Sequence, residues 1–303
     1  VIDVPDDLAV NLSAHSGAAG RAFAASLPGL AARYLDEWGL RLDGGAMSGM
    51  CALVLPVVRE ADGRRAALKL QSVDEETAGE PVALRVWGVA GAGAVGLLEH
   101  DAATGAMLLE RLDEQRPLTG VGDARSAVRV LADSLARLVR VPAPPGMRRL
   151  EDVAARMLEA APGAAPGLVD EGERRLLLDC AAAVREVAGE PGDRLLHWDL
   201  HYDNILAGCA EEGRAGEWVA LDPKPLAGDP GFELFPALHN RFDASEVLWR
   251  FDLLAGVLEL ERENARAWTL GRVLQTGLWA TGDGERRLPA EHAEIARQLL
   301  GRD

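Results

Sequence analysis

The stretch Leu195–Leu206, "LLHWDLHYDNIL", decides how this chain is read. Between apolar ends it sets two histidines, two aspartates and an asparagine. A metal cage, a proton-transfer site and a polar loop between two strands all fit that content. By position the motif is His197-x-Asp199-x-x-x-x-Asn204, and sixteen residues after Asn204 comes "ALDP", with Asp222 at a strand end. Phosphoryl transfer needs such parts. A carboxylate accepts the proton of an attacking hydroxyl, and an amide oxygen with a second carboxylate holds magnesium on nucleotide phosphates. A loop of this length lets Asp199 and Asn204 point into one cleft, and Asp222 on a neighbouring strand completes the metal site. Taken singly, each residue has an ordinary explanation. An aspartate at a strand end commonly forms a turn or caps a helix. His197 reads as a hydrogen-bonding brace for the loop, and His201 has no assigned role.

The weight comes from what lies upstream. In "RAALKLQ" (65–71) Leu68 and Leu70 share one face, while Ala67, Lys69 and Gln71 share the other. Lys69 then faces away from the packed side of the sheet, into a cleft. A carboxylate partner is expected on the following helix, which is read as Glu76 to Trp87. Glu76 and Glu80 both qualify. Glu80 is preferred, because Leu84 and Trp87 follow it at helical spacing. Before these elements, "DGGAMSGM" (43–50) offers glycines and Ser48 whose backbone N–H groups can approach phosphates, although it lacks the GK[ST] ending of a Walker motif.

Working outward, the first segment is rich in helix formers, and Pro28 is expected to divide it into two short helices. Strands follow at Cys51–Val58 and Arg65–Gln71, then a helix, then a hairpin built from "GLLEHD", a "TG" turn and "AMLLERL". After Leu112 strands nearly stop. Asp123 reads as an N-cap for a helix through Val139, "AAPGAAPGL" (160–168) as a connection, and Glu171–Val187 as a further helix. The opening stretch 195–206 reads as a strand, a loop and a second short strand, and "EWVALD" (217–222) follows as a further strand. The rest is mostly helical, with Trp249, Trp268 and Trp279 taken as core. This is an α+β chain in two parts, not a series of βαβ units.

Composition narrows the function classes. The 303 residues are 48% hydrophobic, ample for a core, and the formal net charge is −16. That balance disfavours nucleic acid and favours cationic ligands. The most apolar run, Gly88–Leu98, is far short of the ~20 residues of a membrane span. The acidic start lacks the basic region of a secretory signal. Cys51, Cys180 and Cys209 lie far apart and odd in number, so a cytoplasmic location is expected.

In order, "DGGAMSG" (43–49), "AALKLQ" (66–71), "MLLERLD" (107–113), "VPAPPG" (141–146), "GEPGDRLLHWDLHYDN" (189–204) and "LDPKPLAGDPGFELFPAL" (221–238) resemble the aminoglycoside phosphotransferase family. They are similar in particular to its streptomycin 6-kinase and hydroxyurea phosphotransferase branch. The resemblance covers most of the chain. It implies a two-lobed protein-kinase-like fold, with a small antiparallel β lobe carrying one helix over residues 1–112 and a larger, mainly helical lobe over 113–303. It implies phosphorylation of a hydroxyl by ATP with Mg2+. Asp199 would be the catalytic base, and Asn204 and Asp222 would bind magnesium. Lys69 would hold the α/β-phosphates and Glu80 would orient it. The backbone of Glu110 and Leu112 would meet adenine. Two departures stand out. Pro223 and Lys224 replace the Phe and Gly that follow the metal aspartate in protein kinases. Glu233 stands where the family often has Asp. A protein-kinase activation loop is missing, so no protein partner is implied.

The substrate expected from this resemblance is streptomycin, phosphorylated at its 6-hydroxyl, with hydroxyurea as the alternative. Streptomycin is a small cationic aminocyclitol with two guanidinium groups. Asp199, Asp229, Glu233 and Asp243 would attract it, although Asp229 also reads as the cap of the helix that starts at Pro230. Two readings of other classes compete. A metallohydrolase would use the Asp-x-His within "HWDLH", but the other histidines stand singly. A non-catalytic binding protein would be expected to have lost Lys69, Asp199, Asn204 or Asp222, and all four are present.

Overall fold

The computed structural model describes residues 2–210 and 213–301. It opens with α1 (Asp6–Glu37), which runs through Pro28 without a break. The interruption expected at Pro28 falls instead at Gly17, whose φ of 55° and ψ of −124° belong to no helix. The reason is close packing of the two limbs. A Cβ on Gly20 would lie 1.9 Å from the carbonyl oxygen of Leu12, so only glycine fits there. Pro28 forfeits one helical hydrogen bond, but its flanks Leu27, Ala31 and Tyr34 are fully buried against the sheet that follows.

That sheet comprises β1 (Leu40–Leu42), β2 (Met47–Ser48), β3 (Ala52–Arg59), β4 (Arg65–Gln71), β5 (Leu97–His100) and β6 (Met107–Glu110). Its order is β1-β3-β4-β6-β5, with β2 paired to β3, and every pairing is antiparallel. Period-2 alternation gives it two unlike faces. Leu53, Leu55, Leu68, Leu70 and Leu108 pack against α1 in one core. Lys69 and Gln71 occupy the opposite face. The helix α2 (Glu80–Ala90) crosses on that side, beginning at Glu80 with Pro81 in its first turn. It does not begin at Glu76, because Asp74 Oδ1 accepts the N–H groups of Glu76 and Thr77 and holds them in a turn.

The chain then leaves the sheet through Arg111. The remainder is helical around a second, larger core. It holds β7 (Leu112–Pro117), α3 (Ala124–Leu138), α4 (Leu150–Ala164), α5 (Glu171–Val187), β8 (Arg194–Leu196), β9 (Ile205–Gly208), β10 (Trp218–Ala220), β11 (Leu226–Gly228), α6 (Phe235–His239), α7 (Val247–Val257), α8 (Arg262–Gly282) and α9 (Ala290–Leu299). Asp123 caps α3 as expected, accepting the N–H groups of Arg125 and Ser126. The expected connection at 160–168 is mostly helix, since α4 passes through Pro162 and only a short 3-10 turn follows. Among the described residues five strands lie here: β8, β9 and β10 fall where strands are expected, at the two ends of 195–206 and within 217–222, whereas β7 and β11 were not expected. They form two small antiparallel sheets, β10-β9-β7 and β11-β8. Most are three or four residues long, too short for alternation to be seen. Their effect is to hold both ends of the opening motif, since β8 leads into it and β9 leads out. Of the three late tryptophans Trp268 is fully buried, whereas Trp279 is 48% exposed and is not core.

Candidate active site

The first half of the site hangs on β4. Lys69 Nζ donates to Glu80 Oε1 and Oε2 at 2.7 and 2.9 Å, and also to Asp222 Oδ1. Gln71, two residues along the same face, donates to Glu80 Oε2 at 2.5 Å. Lys69 is 4% exposed and Glu80 1%. Burial works against the ammonium, but the carboxylates of Asp222 and Glu80 outweigh it and hold Lys69 above the ordinary lysine value. Burial also opposes ionisation of Asp222, and there the Lys69 ammonium prevails, keeping the carboxyl below its usual range. The carboxylate paired with Lys69 on α2 is therefore Glu80. Glu76 sits in the preceding turn, 3.9 Å from the Arg148 guanidinium.

The second half is the loop after β8. The His197 imidazole is buried, with Nε2 3.0 Å from the carbonyl oxygen of Leu221. Burial pushes its pKa down to about 4, so the ring is neutral and its Nε2–H donates to that carbonyl. This contact ties the loop to the strand end that carries Asp222. Trp198 has a φ of 67° and Asp222 a φ of 60°, both in the left-handed region. Such strain in non-glycine residues persists only where neighbours hold it. At Trp198 the holder is Glu233, whose two carboxylate oxygens accept its N–H at 2.9 and 3.0 Å. Asn204 Nδ2 donates to the Asp199 carbonyl at 2.9 Å, closing the loop. His201 accepts the Asp203 N–H at 3.3 Å and so starts the 3-10 turn Tyr202–Asn204.

Between the halves lies a cleft of about 600 Å³, a common size for a small-molecule site. Ser48, His15, Glu110, Leu112, Asp199, Asn204, Asp222 and Lys224 are among the residues that line it. The Ser48 hydroxyl is engaged, donating to Asp7 Oδ2 at 3.0 Å. The Glu110 carboxylate is also engaged, with the Gly96 N–H at 2.9 Å and Arg214 at 2.9 Å. A ligand meeting Glu110 would meet its backbone. Asn204 and Asp222 offer oxygen as metal donors. The Asn204 amide is oriented by its NH2 group, and with the Asp222 carboxylate it offers the few hard ligands that suit a magnesium ion carried by phosphates.

Some expected residues do not converge. Glu233 is fully buried beneath Trp198 and presents nothing to the cleft. Asp229 caps the turn at Pro230–Glu233, accepting the Gly231 N–H at 2.7 Å and Asn264 Nδ2 at 2.8 Å. Asp243 caps another turn through Ser245. The carboxylates that line the cleft with Asp199 instead include Asp74, Glu76, Asp203 and Asp222. Sequence spacing could not show this, because it does not say which way a short turn faces. Cations also stand close to the loop, Lys224 in the cleft and Arg148 and Arg272 behind Trp198. Lys224 Nζ donates to Asp199 Oδ2 at 2.8 Å. The guanidinium carbons of Arg148 and Arg272 lie 4.0 and 5.2 Å from the Trp198 ring centroid. None of the three was singled out from the sequence as a site residue. For Lys224 a signal existed, a lysine between two prolines directly after Asp222. No group of three or more His, Cys, Asp or Glu residues able to hold a metal ion by themselves occurs among the described residues. No helix among them is long and apolar enough to cross a membrane.

Comparison with known proteins agrees with this geometry. The family model described as aminoglycoside/hydroxyurea antibiotic resistance kinase matches residues 37–284. A hydroxyurea phosphotransferase of Kitasatospora aureofaciens is 60% identical over 304 residues, covering 100% of this chain and 87% of that protein. A streptomycin 6-kinase of Streptomyces glaucescens is 48% identical over 309 residues, covering 99% and 98%. Among solved structures, a thermostable mutant of the aminoglycoside phosphotransferase APH(4)-Ia, in ternary complex with ADP and hygromycin B, superposes with a TM-score of 0.60 at 14% identity. That match covers 89% of this chain and 97% of the other. It shows a shared α+β, protein-kinase-like fold.

Proposed function

The chain belongs to the aminoglycoside/hydroxyurea antibiotic resistance kinase family and is a phosphotransferase; from that premise we propose that it transfers the γ-phosphoryl group of ATP to the hydroxyl of hydroxyurea. The observation that carries this reading is the 60% identity, along the whole chain, to a hydroxyurea phosphotransferase, against 48% to a streptomycin 6-kinase. The charges beside Asp199 support it. Lys224 in the cleft is paired with Asp199, so one of the carboxylates that could attract a dication is already neutralised.

In the proposed mechanism the nucleotide lies along the cleft, its adenine read by the backbone carbonyl of Glu110 and the backbone N–H of Leu112. The backbone at Ser48 approaches the phosphates. Lys69, kept charged and aimed by Glu80, holds the α- and β-phosphates. Asn204 and Asp222 would hold magnesium, which when bound offsets phosphate charge. Asp199 accepts the proton of the acceptor hydroxyl as its oxygen attacks the γ-phosphorus. The buried brace of His197 and Glu233 holds Asp199 at the required height, and positioning supplies much of the rate in this chemistry.

A second reading has its own observation. The streptomycin 6-kinase matches along 98% of its length, whereas the longer hydroxyurea phosphotransferase is covered over 87%. On this reading the acceptor is the 6-hydroxyl of streptomycin. Release of ADP from ATP and Mg2+, measured with hydroxyurea and with streptomycin in parallel, separates the two. Turnover with hydroxyurea is expected. Turnover with streptomycin alone would replace the first reading with the second.

A further inference from the structure

The loop that carries the base contains no strong cation. From Asp199 to Asn204 the residues are Asp, Leu, His, Tyr, Asp and Asn. His201, the one basic group among them, accepts a hydrogen bond on its Nδ1. Yet a phosphoryl group in flight spreads negative charge over its equatorial oxygens and needs positive charge beside it. The other cations near Asp199 are committed. Lys69 is shared between Glu80 and Asp222. Arg272 is 6% exposed and donates to the Trp198 carbonyl at 3.2 Å and to Gln275 at 2.6 Å. Arg148 lies over the Trp198 ring.

Lys224 is the remaining one, and it is placed differently. Its ammonium lines the cleft and is paired with the carboxylate that accepts the proton. Its side chain keeps about a third of its surface, 36%, exposed. Its backbone is fixed on both sides, since its N–H donates to the His197 carbonyl at 3.0 Å and its own carbonyl accepts from Arg148 at 3.3 Å. Pro223 and Pro225 flank it and restrict the chain further. A partly exposed cationic head on a backbone held at both sides, already at the reacting carboxylate, meets the requirement.

We propose that Lys224 is the cation that engages the transferred phosphoryl group, moving onto it from Asp199 as the acceptor hydroxyl takes its place. The proposal rests on the assignment of Asp199 as proton acceptor. In the step, the acceptor oxygen forms a bond to the γ-phosphorus and its proton passes to the Asp199 carboxylate. The bond from the γ-phosphorus to the β,γ-bridging oxygen breaks, and its electron pair leaves with ADP. Lys224 stays protonated throughout and donates to an equatorial oxygen. Its contact with Asp199 pairs the two groups before the step.

The test is calorimetric binding of ADP with Mg2+, with and without aluminium fluoride, whose ADP complex mimics the phosphoryl group in flight. Wild type, Lys224→Met and Lys224→Arg are compared. Lys224→Met is expected to bind ADP within about threefold of wild type but to lose ~10²-fold or more of the affinity that fluoride adds. Lys224→Arg should keep most of it. ATP turnover by Lys224→Met should fall by a similar factor with KM for ATP little changed. If Lys224 only braces Asp199, turnover falls while fluoride-dependent binding stays at the wild-type level, and the proposal is overturned. It is overturned equally if fluoride adds nothing in wild type. The binding readouts need no acceptor, so failure of wild type to phosphorylate hydroxyurea would refute the substrate reading and leave Lys224 to be decided by fluoride-dependent binding alone.

Discussion

Glu233 lies beneath the loop that carries Asp199, and both of its carboxylate oxygens accept the backbone N–H of Trp198, at 2.9 and 3.0 Å. That contact holds Trp198 in a left-handed conformation and so sets the height of the next residue, Asp199. Glu233→Ala should therefore leave a buried N–H without a partner and let the loop relax. We expect a loss of about 1–3 kcal/mol in stability and lower turnover, with ADP affinity near wild type. Denaturant unfolding and ADP titration check this. Wild-type turnover in a variant of reduced stability would show that the loop does not depend on Glu233.

The two buried titratable groups of this brace act with opposite signs. His197 titrates at about 4 in the folded chain against 6.5 when unfolded, so its stabilising effect is complete above pH 6.5 and is lost as pH falls toward 4. Glu233 is raised by burial to about 7 from 4.5, so it stabilises below pH 4.5 and that effect is lost as pH rises through 7. Each is worth about 3 kcal/mol across its window. Between pH 6.5 and 4.5 they largely cancel. His197→Gln should unmask the Glu233 effect, gaining stability relative to wild type as pH falls across that range. Parallel urea midpoints for the two proteins would contradict this.

Removing the proton acceptor should affect chemistry and spare binding. Asp199→Asn is expected to lower kcat by ~10²–10⁴-fold, with ADP affinity within about twofold of wild type. Unimpaired turnover would take Asp199 out of the mechanism.

Lys69 and Glu80 are a buried ion pair, and breaking one side should cost more than removing both. Lys69→Met should destabilise by about 3–5 kcal/mol, because it leaves charge buried and uncompensated. Adding Glu80→Gln should restore part of that loss. A double-mutant cycle from denaturant unfolding gives the coupling. Additive losses would mean the pair is not coupled.

Much of the site was legible before the fold was known, wherever the signal was local. Alternation in "RAALKLQ" put Lys69 opposite Leu68 and Leu70, and Asp123 and Asp229 announced their caps. The choice between Glu76 and Glu80 was also nearly readable, since Pro81 favours a first helical turn and the helix does begin at Glu80. Pro28 misled, because a proline's cost is local whereas the packing of Leu27, Ala31 and Tyr34 is not. The break moved to Gly17, where two limbs meet too closely for any side chain at Gly20. The strands β7 and β11 were invisible, β7 being too polar and β11 too brief for a period to register.

By itself, then, the sequence determined which chemistry the chain carries and in what order, because motif spacing and periodicity are properties of neighbouring residues. The tertiary structure alone decided what surrounds Asp199. Acidic residues that looked like a cation pocket turned into a buried brace at Glu233 and caps at Asp229 and Asp243. Lys224, Arg148 and Arg272, from three separate segments, came to stand around the loop. Charge acts through space over a few ångströms, and which charges come that close is set by packing between segments far apart in the chain.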